Sequence, residues 1–422
     1  MSKAQKNIIE VFSDIVSQYL GTTESKKFTK ELFSDVDSES KLASQAADKI
    51  SGLEIENSRY HQLRRFQIEN LITHTENKLS KTKFLDLMLN LANTSLFLGE
   101  LSLSTELYNH VIEKSGHDSK FIDFEANAYF GLGVLFSGQA LWSKSLENIY
   151  KAKKIFSREK SLTGVAKCEN MIGTVYGEQG DFNRAIKLFS EALSLLNDKR
   201  DKYLIAWVET NIGIVNQALE NFDLAFTLFY RSLATFENLS NYRWIASVRY
   251  NIGALFVQKK EYDAALTELD FSLAACEKSE SVQTLGMLYI KKAEIYVSLR
   301  DFPLSIAYTD RALEIASRMN DRMSIAEIYR IKGVVHRNLR KSQLAESYLQ
   351  TSLRLNREFD NQTNIAETSL ELGILYKDIK EYQKARTYFE DSLTFFKKIR
   401  SRESIEKIET MIKELPNEKR KK

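Results

Sequence analysis

The chain has 422 residues, of which 43% are hydrophobic and 28% charged, with a formal net charge of +3. That length holds two or three ordinary domains or one elongated array, and so small a charge argues against a nucleic-acid partner. Two prolines and sixteen glycines leave few helix breakers, which points to a mostly helical protein.

The N-terminal stretch MSKAQKNIIEVFSDIVSQYL lacks the continuous apolar core of a secretory signal. Its apolar residues Ile8, Ile9, Val11, Phe12, Ile15, Val16 and Tyr19 follow helical spacing instead. Helices are predicted around 3–20, 25–34, 38–52 and 56–80, interrupted by GTTESKK and DVDSES. Residues 1–82 read as an N-terminal helical cap, with degenerate repeats possible, or as a bundle that docks on a partner or self-associates. No uncharged apolar run is long enough to span a bilayer, so no membrane partner is expected. Cys168 and Cys276 are isolated and outside any CxxC spacing, which fits a reduced, cytoplasmic setting.

From residue 83 the sequence repeats every 40 residues. With Gly253 as origin, the same column holds Gly133, Gly173, Gly213, Ala293, Gly333 and Gly373, and one step further back falls on Asn93. Twelve residues after each origin stands a small residue: Thr105, Ser145, Ala185, Ala225, Ala265, Ser305, Ala345 and Ala385. Leucine follows at plus twenty in the last six copies. Aromatic residues recur at plus three and at plus nine. Each unit therefore reads as two amphipathic helices joined by a short polar turn, with small residues where the pair crosses closely. The stretches SIAE at Ser324–Glu327 and NIAE at Asn364–Glu367 read as helix-starting capping boxes, preceded by the turn pairs Asn320-Asp321 and Asp360-Asn361.

The stretch MIGTVYGEQGDFNRAIKLFSEAL, Met171 to Leu193, resembles the tetratricopeptide repeat family. The spacing is that of its long, 40-residue variety, found in bacterial signalling receptors and in adaptor proteins. The resemblance covers residues 83–402, eight units, and implies an all-α, right-handed superhelical α-solenoid of helix-turn-helix repeats. SIEKIETMIKELPNEKRKK, from Ser404, reads as a capping helix stopped by Pro416, so that 403–422 form a cap and a basic, solubilising tail.

Chemistry is hard to find in the sequence. His61, His74, His110, His117 and His336 make no metal-ligand spacing, and His336 occupies a column otherwise aromatic. GLGVLFSG lacks the ending of a phosphate loop, and GTVYGEQGD opens a helical turn where a dinucleotide fingerprint needs a strand. No catalytic residue, metal or cofactor is expected.

The family resemblance implies a concave face lined by the first helix of each pair, with outward positions at minus six, minus three, plus one and plus four from the origin. These columns select Phe130, Asn170, Trp207, Tyr250, Met287, Ile290, Arg330, Arg337 and Lys377 as the candidate groove. The middle is apolar and aromatic, and the end bearing Arg330, Arg337 and Lys377 predicts an acidic group on the ligand. Packing between first helices is the competing role for Trp207, Tyr250 and Ile290. Asn211 and Asn251 read first as ties between neighbouring helices. The implied function is non-catalytic binding of a protein or peptide as a scaffold or adaptor. The alternative is a peptide-sensing signalling regulator whose N-terminal helices act as effector module.

Overall fold

The computed structural model describes residues 8–21, 23–24, 70–279 and 281–416. The predicted helices at 25–34 and 38–52, most of the one at 56–80, and the basic tail lie outside the described residues. Among those described, the labelled helices are α1 (Ile8–Tyr19), α2 (Lys81–Phe97), α3 (Leu101–Ser115), α4 (Ile122–Gly138), α5 (Trp142–Arg158) and α6 (Leu162–Glu178). They continue as α7 (Phe182–Ser194), α8 (Lys202–Ala218), α9 (Phe222–Asn238), α10 (Tyr242–Gln258), α11 (Tyr262–Ser279) and α12 (Val282–Ser298). The last are α13 (Phe302–Arg318), α14 (Arg322–Asn338), α15 (Ser342–Glu358), α16 (Gln362–Asp378), α17 (Tyr382–Ile399) and α18 (Arg402–Lys413). Contacts divide the chain into two compact units, 1–131 and 132–422.

In the 132–422 unit, consecutive helices pack as pairs, and each pair stacks on the next through a chain of small cores. Phe189, Val208 and Val215 belong to one core, Phe229, Phe236 and Leu255 to the next, and Leu269, Leu288 and Ile295 to the one after. The fold is an α-solenoid of helix pairs.

The origin column explains how tightly each pair crosses. A Cβ placed on Gly373 would meet the Phe389 ring at 2.4 Å, and one on Gly213 would meet Phe229 at 2.6 Å. The small residue twelve positions later completes the crossing: Ser145 Oγ donates to the Gly133 carbonyl at 2.8 Å and Ser305 Oγ to that of Ala293 at 3.0 Å. In the 1–131 unit the same bond runs from Ser104 to the Ala92 carbonyl at 2.8 Å. The frame there is therefore Ala92 and Ser104, one residue earlier than the Asn93 and Thr105 given by counting in forties.

The helix starts also differ from the sequence reading. The caps are Asp321 and Asn361, whose side chains accept from the Ser324 and Asn364 amides at 3.0 Å. They stand three residues before the expected Ser324 and Asn364, because Asn320 and Asp360 at φ 47° and 54° turn the chain and the helix starts at once. Glu327 is thereby freed from capping and pairs with Arg330. Left-handed turn residues recur at the helix junctions, as at Lys260, Arg300, Asn320, Arg340, Asp360 and Lys380. Each closes a Schellman-type turn, as where the Glu261 amide donates to the Phe256 carbonyl at 2.9 Å. At the C-terminus α18 buries Ile408, and Leu415 follows it into the last core.

Gly373 and Gly177 give opposite expectations. Gly373→Ala forces the Phe389 ring to move and should cost about 1–3 kcal/mol. At Gly177 the nearest atom to an added Cβ is 3.7 Å away, so Gly177→Ala should gain up to about 1 kcal/mol of helix propensity. Thermal unfolding of the two variants beside wild type checks this; equal shifts would mean the crossing is not tight.

Candidate functional site

Within the 132–422 unit the first helices of successive pairs line a cavity, open on one side, of about 620 Å³. Each first helix contributes at a different height. α6 and α8 bring their C-terminal ends, with Glu178, Gln217 and Ala218, whereas α14 and α16 bring their N-terminal ends, with Met323, Ser324, Thr363 and Asn364. In between, α10 and α12 contribute from their middles, with Tyr250, Ala254, Ile290 and Glu294. This drift is the per-unit twist of the solenoid, seen from inside.

The chain closes on itself around the cavity. Ser401 donates to the Glu220 carboxylate, and Ser404 Oγ lies 3.5 Å from the same oxygen. Ile399 packs against the core that holds Phe182, and the Trp142 indole N–H donates to the Phe359 carbonyl. Phe396, Ile399 and Lys407 thus complete the wall.

The lining is acidic. Glu178, Glu220, Glu294, Glu327, Glu367 and Glu371 face only Lys291, Arg330 and Lys407. Arg330 is held by Glu294 at 2.8 Å, by Glu327 through Nε at 2.9 Å and by Glu367 at 3.7 Å. Lys291 pairs with Glu294. Burial works against the Lys291 charge, but Glu294, with Tyr250 and Glu327, outweighs it and holds the ammonium above its ordinary range. Arg330 is raised likewise: burial opposes its charge, and Glu327, Glu367 and Glu294 overcome the penalty.

Glu178 is different, because no cation among the described residues pairs with it. Its side chain is exposed on the cavity wall; partial desolvation by the neighbouring protein, with the negative charge of Asp321 added, raises its carboxyl to about 7.

The structure scatters the residues selected from sequence. Tyr250, Met287, Ile290 and Arg330 line the cavity together. Trp207 does not: its ring lies 5.6 Å from that of Trp244, between two adjacent cores. Asn170 is fully buried and accepts from Asn211 at 2.9 Å, a tie between α6 and α8. Arg337 pairs with Glu371 at 3.1 Å and Lys377 with Glu414 at 2.6 Å, and neither lines the cavity. Phe130 belongs to the 1–131 unit. The expected anionic ligand group does not follow, since Arg330, Arg337 and Lys377 all have carboxylate partners. Sequence reasoning missed Glu178 and Lys407: the repeat column of Glu178 is otherwise small or polar (Gly138, Ala218, Gln258, Ser298, Asn338, Asp378), and Lys407 lies beyond the repeats, so neither stands out in the sequence.

Residues 204–278 and 324–398 match one tetratricopeptide repeat model, and residues 170–197 match a second. These segments are tetratricopeptide repeats. No curated protein matches the sequence. Several solved tetratricopeptide-like structures share the fold. A Rap protein complexed with competence and sporulation factor is 14% identical with a TM-score of 0.53, over 78% of this chain and 97% of that one. The Rap conjugation gene regulator of plasmid pLS20, in complex with the Phr* peptide, is 13% identical with a TM-score of 0.55, over 75% and 96%. NprR in complex with its cognate peptide NprX is 13% identical with a TM-score of 0.52, over 66% and 81%. At these identities the likeness carries the repeat fold alone. Among the described residues no helix is long and apolar enough to cross a membrane, and no group of three or more His, Cys, Asp or Glu is placed to hold a metal.

Two measurements test the site's construction. Glu178 keeps its proton more tightly folded than unfolded, so its contribution favours folding below its ordinary 4.5 and is lost as pH rises toward about 7. Glu178→Gln should therefore gain on wild type between about pH 5 and pH 8, by about 1–2 °C in Tm after allowing for cavity water. A constant difference across that range would mean an ordinary carboxylate. Glu220→Ala removes a charge-assisted hydrogen bond and should speed amide hydrogen exchange in 401–413 by about tenfold, whereas unchanged exchange would mean the closure rests on apolar contacts alone.

Proposed function

We propose that residues 132–422 bind a short peptide inside the cavity, and that the protein is a non-catalytic peptide-binding regulator. The observation that carries this is the net acidic lining of the cavity, with Glu178 lacking a counter-charge among the described residues. A volume of about 620 Å³ is in the usual range of small-ligand sites, and the chain's own C-terminal helix supplies part of the wall. This favours peptide sensing over a scaffold that grips a large protein. The peptides in the Rap and NprR complexes support the same reading.

The electrostatics specify the peptide further. Lys291 and Arg330 are committed to carboxylates, and the six lining carboxylates outnumber the three cations, so the net field repels an incoming acidic group. A lysine, arginine or free amine meets Glu178 and the incompletely neutralised Glu367. Arg330 and its carboxylates then act as a rigid floor, because removing one partner of such a buried network leaves an uncompensated charge. The compact 1–131 unit is the part we assign to acting on a downstream partner.

The test is retention of an equimolar position-scanning hexapeptide library on the purified full chain, read by mass spectrometry. Retained peptides should be enriched in lysine or arginine. The enrichment should weaken about tenfold with Glu178→Gln, the loss of one charge-assisted contact, and should fall in high salt. Retention of no peptide, or of acidic peptides, would overturn the reading.

A further inference from the structure

Beside the main cavity lies a second, smaller chamber of about 230 Å³. Glu178, Phe182, Ala218, Met323, Thr363 and Asn364 line both, so the two spaces share one wall. The smaller chamber differs in character. Its inner surface is apolar, made by Phe182, Phe189, Val215, Ile214 and Met323, with Gly177 leaving part of the wall open. Amide and hydroxyl groups complete the lining: Thr174, Asn211, Asn361, Thr363 and Asn364.

Two of these residues are set in ways that packing alone does not require. Ile214 keeps 42% of its surface exposed while standing on an inward-facing wall. Its neighbours on either side, Gly213 and Val215, are part of the crossing and the core. Asn211 spends its amide N–H groups on Asn170 at 2.9 Å and Thr174 at 3.2 Å, which fixes the side chain in orientation. Its carbonyl oxygen is left without a donor from the described residues, at the edge of an apolar space.

We propose that this chamber receives one apolar side chain of the bound peptide, next to the cationic group held by Glu178. The occupant is a leucine, isoleucine, methionine or phenylalanine adjacent in sequence to a lysine or arginine, and the Asn211 carbonyl accepts a backbone amide between them. The inference rests on the peptide-binding reading above and adds to it the second half of the recognition element. Charge complementarity fixes where the peptide lies, because Glu178 borders both spaces. Size then fixes what fits: an apolar cavity of about 150 Å³ suffices for a benzene ring, so this one admits an aliphatic or phenyl group. Burial of such a side chain contributes about 10- to 100-fold in affinity.

The same hexapeptide library tests this with two variants. Gly177→Leu fills the chamber from a position where an added Cβ meets nothing closer than 3.7 Å, and Ile214→Asn makes its wall polar with the same number of side-chain heavy atoms. Tm of each variant confirms folding. Wild type should enrich peptides with an apolar residue beside the cation. Both variants should lose the apolar enrichment, about tenfold or more, and keep the preference for lysine or arginine. Cationic peptides retained by wild type with no apolar preference would overturn this inference and leave the peptide-binding reading standing. An apolar preference unchanged in both variants would place the apolar contact elsewhere and also overturn it. Retention of no peptide by wild type would overturn both.

Discussion

Everything inside the 132–422 unit depends on one steric condition, the absence of a side chain where the two helices of a pair cross. At Gly173, Gly213 and Gly373 the space a Cβ would need is occupied by a phenylalanine ring of the second helix. The ring can lie flat against the backbone only there, so the crossing point is fixed to a residue. Repeating that condition about every 40 residues, with a lone methyl at Ala293, gives the pairs similar geometry, and similar units stacked with a small rotation must curve. The cavity is a consequence of that curvature, since the first helices end up on the inside of the bend.

Lined in this way, the interior acquires properties that no single repeat has. Charged side chains on a free helix would be solvated and nearly neutral in energy. Brought inward from several turns, they must be matched, and Arg330 illustrates how: its carboxylates come from α12, its own helix α14, and α16. Such a network is poor evidence of stability, because desolvation offsets much of the attraction. Its value is positional. It ties three consecutive first helices together on the inner face, while Glu178 on α6 has no cation partner among the described residues.

The periodic features were legible in the sequence because they answer to local constraints. The glycine column, the small residue at plus twelve and the aromatic at the turn each serve a contact within a pair, so they recur without drift. His336 could be placed for the same reason, and its ring stacks on Tyr348 at 5.3 Å. The caps were misplaced by three residues because Asp321 and Ser324 are both competent N-caps, and the left-handed residue before Asp321 decides between them. The inward stripe was legible only in part. A fixed set of columns finds Tyr250, Met287, Ile290 and Arg330, in the pairs whose first helices cross the cavity near the origin glycine or on its N-terminal side. It fails for Trp207 and Asn170, since α6 and α8 reach the cavity with their C-terminal ends. It fails for Arg337 and Lys377 in the opposite sense, since α14 and α16 reach it with their N-terminal halves. The twist that causes this drift accumulates over the whole array and is written in no single repeat.

The contact between α18 and Glu220 brings together residues 181 apart in sequence. In an open solenoid each repeat touches only its neighbours, and stability is close to a sum of local terms. Here Ser401 on Glu220, Ile399 on the Phe182 core and Trp142 on Phe359 join early pairs to late ones. Closure of this kind makes the curvature a property of the whole unit, because a change in rotation at any pair must be absorbed at the join. A ligand bridging Glu178 on α6 and the Arg330 network on α14 would act across that same span. Its binding energy and the closure contacts would then bear on one coordinate, the curvature of the unit, and so on how far α18 sits from Glu220.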